Sequence, residues 1–253
     1  MAKFSFDDIS IEGANISNKE KSDGSFDVIV GAYNVFSSEG AFYVMNDNVK
    51  RVFSSNGQVG KALSMGMKSE ENHPTMKYTD TIEEFAERFK SIDESNTCGI
   101  FNSISLDSNP TKVSFQEQPV YLVRANITPL DNDLGRKLRG DLLDQTTDVA
   151  FSLRGMSHRT TINGILYKET YFVVTYDRVP RPGIAVARQS QWLDFDIESK
   201  ESLIPDNELS KLLSFANERL KNDTEDDYSI GFYSAVKDII TGCDDNSCIL
   251  NTY

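Results

Sequence analysis

Hydrophobic and polar positions along the chain predict a β-rich body with helices set into it and after it. Phe4, Phe6, Ile9 and Ile11 alternate with polar neighbours, and the chain then turns polar from Asn18 to Ser25. An opening strand and a mobile connection are expected over residues 1–25. From Phe26 to Met45 β-branched and aromatic residues dominate, punctuated by Gly31 and Gly40, which predicts two strands. Asn56 to Met67 reads as a short helix. Asp80-Thr81 followed by Glu83-Glu84 is a helix-start pattern, with Phe85, Phe89 and Ile92 as its apolar stripe. Strands are expected at Gly99–Leu106, Val113–Gln116 and Val120–Ile127. Pro129 is then expected to open a helix through Leu134, Leu138 and Leu142, with Asp131 and Asp133 near its positive end.

Val149–Leu153 reads as a strand. A hairpin over Asn163-Gly164 and a long strand ending at Asp177 follow. The P-R-P-G run at 180–183 breaks regular structure. Beyond residue 200, Pro205-Asp206-Asn207 caps a helix through Leu209, Leu212, Leu213 and Leu220, and a second helix runs from Ile230 to Ile240. The fold class is α+β. The expected division is a body over residues 26–198 and a helical C-terminal appendage over residues 199–253.

Composition narrows the function classes. A formal net charge of −13 over 253 residues argues against a surface that neutralises phosphates, so no nucleic-acid partner is expected. No apolar run approaches the length of a membrane span, and Met-Ala-Lys-Phe-Ser does not read as a signal peptide, so no membrane role is expected. Three cysteines, odd in number, fit a reducing compartment. Cys243 and Cys248 are too few for a zinc site and read as part of a flexible tail. Walker loops, dinucleotide fingerprints and H-E-x-x-H are all missing from the sequence.

The candidate chemistry rests on few residues. The chain has two histidines, so a histidine-based mechanism must use His73 or His158. His73 lies in E-E-N-H-P (Glu70 to Pro74), Ser152 in D-V-A-F-S-L-R-G-M, and Asp177 ends an apolar run from Tyr171 to Tyr176. A base that activates a hydroxyl and a carboxylate that orients the base would suit such a set. The plainer alternatives are a buried strand serine, a loop histidine beside a proline and a strand-end carboxylate paired with Arg178 or Arg181. Arg154 shares the strand face of Ser152, and with the backbone N–H groups beside Gly155 it is a candidate to hold an oxyanion. An ordinary surface ion pair is the plainer reading of Arg154. His158 is a poor base for Ser152, because six residues of extended chain span roughly 20 Å. Cys98, in T-C-G-I, reads as a buried structural thiol.

Three blocks in this order resemble the prohead maturation proteases of tailed phages, closest to the branch of T-even-type and giant phages. N-V-K-R-V-F (48–53) leading to E-E-N-H-P resembles that branch's N-x-x-R-x-Y segment and G-E-x-x-H-P box. A-F-S-L-R-G is similar to its G-[VI]-S-x-R-G strand, and T-Y-D-R-V-P-R-P-G to its strand ending in D-x-V-x-x-P. The glycine before the histidine box is missing, with Lys68-Ser69 in that region, and the glycine before the nucleophile is Ala150. The likeness covers roughly residues 26–190. Residues 1–25 and 200–253 fall outside it.

The resemblance implies an assemblin-like β-barrel related to the herpesvirus proteases. It implies Ser152 as nucleophile and His73 as general base, and Asp177 stands where it would orient His73. A serine endopeptidase of this kind needs no metal or organic cofactor. The implied partners are phage scaffold, core and capsid proteins, cut after glutamate inside the assembling prohead in the host cytoplasm. Self-processing is implied too, with Glu12, Glu201 and Glu218 as candidate cut sites because each has Ser or Ala two places before it. A homo-oligomer is left open. The alternative is a non-catalytic prohead core protein that keeps the protease fold.

Overall fold

The computed structural model describes residues 19–37, 40–75, 77, 80–112, 118–144, 147, 149–180, 206–221, 226–241 and 249–251. Its first half comprises β1 (Phe26–Tyr33), β2 (Val35–Phe36), β3 (Phe42–Tyr43), α1 (Asp47–Val52), α2 (Gln58–Ser64), β4 (Lys68–Glu70), α3 (Ile82–Lys90) and β5 (Thr97–Leu106). There follow β6 (Tyr121–Pro129), α4 (Asp133–Leu143), β7 (Ala150–Ile162), β8 (Ile165–Val179), α5 (Asp206–Arg219), α6 (Asp227–Thr241) and β9 (Ile249–Asn251). The class is α+β, as expected.

One sheet has the order β1-β6-β5-β4 and the other β2-β3-β8-β7-β9. Pairings are antiparallel except β3 with β8. A parallel bridge from Glu71 to Arg178 joins the end of β4 to the end of β8. Among the described residues the two sheets curl into a half-barrel, where a β-barrel was expected.

The β7–β8 hairpin is the spine. Asn163 (φ 54°) and Gly164 (φ 80°) both take the left-handed conformation that a tight two-residue hairpin turn demands. Alternation then sorts side chains onto two faces. Phe151 and Leu153 enter a core between the sheets with Phe26, Val123, Ile127 and Tyr176. Ser152 and Arg154 point the other way. On that side Met156, Phe172 and Val174 form a second core with Phe85 and Phe89 of α3 and Phe232 of α6. Burying each of these aromatic side chains contributes about 1.5–3 kcal/mol.

Several expectations need correction. The C-terminal helices are not an appendage: Phe232 stacks edge-on against Phe172 at 5.8 Å, within the second core. Pro129 ends β6 and does not open α4, whose N-cap is Asn132, accepting from the Gly135 N–H at 2.7 Å. The short helix α1, capped by Asn46, and the strand β9 were not anticipated. Residues 19–25 form a closed turn, with the Lys21 N–H donating to the Ser25 carbonyl at 2.9 Å. The strands expected near Phe4 and at Val113–Gln116 lie outside the described residues.

Candidate active site

The site grows out of the β7–β8 register. Ser152 and Asp177 are direct partners across the two strands, so their side chains share a face. That face looks away from the main core and toward β4 and the C-terminal end of α3. Ser152 is 5% exposed and Asp177 is fully buried.

His73 is delivered by the bridge between sheets. The Asn72 N–H donates to the Arg178 carbonyl at 2.7 Å, and Asn72 takes φ 67°. A left-handed asparagine turns the chain without the full steric cost that most side chains would incur there. His73 follows directly, beneath the end of β8. Its Nδ1 lies 2.8 Å from Asp177 Oδ2, and its buried Nε2 has no hydrogen-bond partner among the described residues. The carboxylate is acceptor-only, so Nδ1 carries a proton, and in the neutral ring Nε2 keeps its lone pair. Ser152 is therefore not hydrogen-bonded to the imidazole in this resting arrangement; such contacts are often long before substrate arrives.

Asp177 is held from several sides. It accepts from Arg154 Nε and Nη2 at 2.7 Å each, from His73, and from the Glu70 N–H at 3.2 Å. Burial pushes its carboxyl up, but the Arg154 charge and the hydrogen bonds from His73 and Arg154 outweigh this, and it stays below the usual carboxylate range.

The oxyanion candidates Arg154 and Gly155 both lie buried in the sheet. Arg154 is fully buried, with Nε and Nη2 on Asp177, Nη2 also 2.8 Å from Glu70, and Nη1 donating to the Ser91 carbonyl at 2.9 Å. With Nη1 also 3.5 Å from the Phe89 carbonyl, all five N–H donors are engaged and none is spare for a substrate oxygen. Gly155 sits in register with Val173 on one side and Asn251 on the other, inside the sheet. It is glycine because a Cβ would come within 2.4 Å of the Phe172 carbonyl oxygen.

Rivals fall away on geometry. His158 lies farther along the continuous strand β7, opposite Glu169. Cys98 is buried, donates to the Ser69 carbonyl at 3.4 Å, and its thiol is pushed by burial up to about 12, so it stays protonated. Glu218 is exposed on α5, whereas Glu12, Glu201, Cys243 and Cys248 lie outside the described residues.

Two residues close to this constellation were missed. Glu70, fully buried, receives Arg88 and Arg154, and Arg88 reaches it from α3. Its place three residues before His73 was the available signal. Arg88 sits among the polar positions of an amphipathic helix, and nothing in the sequence marks it.

Chain comparison completes the picture. The model of the Peptidase S80 family matches residues 11–239, well beyond the 26–190 of the resemblance and into the C-terminal helices. No curated protein matches the chain, and no solved structure does. With a match across most of its length, the chain belongs to the Peptidase S80 family, a family of phage prohead maturation proteases.

Proposed function

We propose that this protease is a serine endopeptidase in which Ser152 attacks, His73 accepts and returns the proton, and Asp177 holds the imidazole. The observation that carries the reading is the His73–Asp177 hydrogen bond at 2.8 Å, set directly opposite Ser152 in the β7–β8 ladder. With Nδ1–H donated to Asp177, Nε2 has the lone pair needed to take the Ser152 proton as the hydroxyl oxygen attacks the peptide carbonyl. The imidazolium then gives that proton to the leaving amine. A water repeats the sequence to release the acyl group. Asp177 stays ionised throughout, because Arg154 and His73 both favour its charged form.

The substrates in this reading are phage scaffold, core and capsid proteins, cut after glutamate during prohead maturation in the host cytoplasm, with self-processing alongside. The likeness of the histidine box and the S-x-R-G strand supports that substrate class, and an assemblin-like origin for the half-barrel belongs to the same proposal. Incubating scaffold protein with wild type and with Ser152→Ala, followed by terminal sequencing of the products, tests it. Cuts after glutamate that vanish in Ser152→Ala are expected; equal cutting by both would overturn it.

A further inference from the structure

A file of alternating charges, buried except at its outer end, Arg88, runs behind the His73–Asp177 pair. Arg88 Nη1 and Nη2 both donate to Glu70; Glu70 Oε1 lies 2.8 Å from Arg154 Nη2; Arg154 forks onto both oxygens of Asp177; and Asp177 accepts from His73. The Glu70 carboxylate also accepts from the Asp93 N–H at 2.9 Å, and the Glu70 N–H donates to Asp177. Two guanidinium charges thus stand against two carboxylate charges, none of them on a residue that touches the scissile bond in the mechanism above.

We propose that Glu70 is a positioning residue that restores the negative field of Asp177 at His73. This rests on the reading of His73 as the general base. Arg154 alone would hold Asp177 in place but would also oppose its charge, weakening the stabilisation of the imidazolium that forms during the reaction. Glu70 offsets Arg154 from behind, and Arg88 limits how far it does so. Glu70, Arg154 and Asp177 are fully buried, so their charges act on His73 with little screening, whereas the partly exposed Arg88 acts more weakly.

The other titratable groups around His73 leave this balance to the file. Glu71, two residues before His73, is paired with Lys137 of α4 and with Arg178 of β8, and Arg178 is also paired with Asp141 of α4. Cys98 of β5 stays a thiol. Tyr228 of α6 is pushed up by burial and stays neutral.

Opposite charge removals should therefore move His73 in opposite directions. The chain has two histidines, so the ring Cε1–H signals of His73 and His158 are assignable by NMR with a His158→Gln variant. Glu70→Gln should lower the His73 titration midpoint, and Arg88→Gln should raise it by a smaller amount, while His158 stays put. A purely structural loosening would not produce shifts of opposite sign. Arg88 is partly exposed, so Arg88→Gln is the variant that keeps the fold if Glu70→Gln does not. An upward shift in Arg88→Gln then supports the proposal by itself. No shift, or shifts of the same sign in both folded variants, overturns it. Fluorophosphonate labelling of Ser152 in the same wild-type sample reports separately on the serine-peptidase reading.

Discussion

Ser152 and Asp177 face each other across the β7–β8 ladder, and His73 reaches the same carboxylate from the bridge that joins the two sheets. In the proposed mechanism, nucleophile and orienting acid are thus fixed by one hairpin register, and the base by a separate crossing. Slipping that register by one residue would put Ser152 into the core and Phe151 into the site.

Asp177→Ala should destabilise the fold by about 3–5 kcal/mol, because it leaves the Arg154 guanidinium buried against a single carboxylate. Ser152→Ala, which removes one hydroxyl, should stay within about 1 kcal/mol of wild type. Urea unfolding of the two variants checks the contrast. The activity order expected is Ser152→Ala and His73→Ala equally inactive, with Asp177→Ala retaining more wherever it folds.

Acid should expose the Asp177 contacts. Its folded value lies below the ordinary 3.8, so as pH falls the unfolded chain binds the proton first. The stability it contributes is complete above pH 3.8 and is lost as pH drops through the lower folded value. Urea midpoints across an acidic pH series should fall in that window, and less steeply in Asp177→Asn.

Gly155→Ala should cost about 1–3 kcal/mol, since the new methyl meets the Phe172 carbonyl oxygen at 2.4 Å and that atom belongs to the backbone of β8. A lowered Tm with an unchanged site chemistry in the residual folded protein is the expected result. An unchanged Tm would mean that the strands move apart freely there.

Self-processing should be selective. Glu218 lies on α5, where a protease needs extended backbone, so cutting after it should lag behind cutting after Glu12 or Glu201. Intact-mass analysis of aged wild type against Ser152→Ala checks this. New termini only after basic or aromatic residues would contradict it.

Much of the molecule was legible in the sequence because local signals and packing agree. Asn163-Gly164 marked the hairpin, the alternation of Phe151, Ser152, Leu153 and Arg154 marked a two-sided strand, and Thr81 with Glu84 marked a capping box that the structure contains. The short α1 was hidden, since six residues carry too little periodicity to register. Pro129 misled because proline suits both a strand end and a helix start; the cap at Asn132 decides between them. The role of Arg154 was unreadable for a different reason. Whether an arginine beside a serine faces substrate or a buried carboxylate depends on Glu70, Arg88 and Asp177 meeting from β4, α3 and β8, and strand spacing carries no information about such long-range meetings.

The central claim is that Ser152 is a nucleophile activated by His73. Treating wild type, His73→Ala and Ser152→Ala with a fluorophosphonate and mapping the adduct by peptide mass spectrometry tests it most directly. The expected result is one adduct, on Ser152, formed by wild type and lost in both variants. Unmodified Ser152 in folded wild type, or labelling that persists in His73→Ala at the wild-type rate, would contradict it.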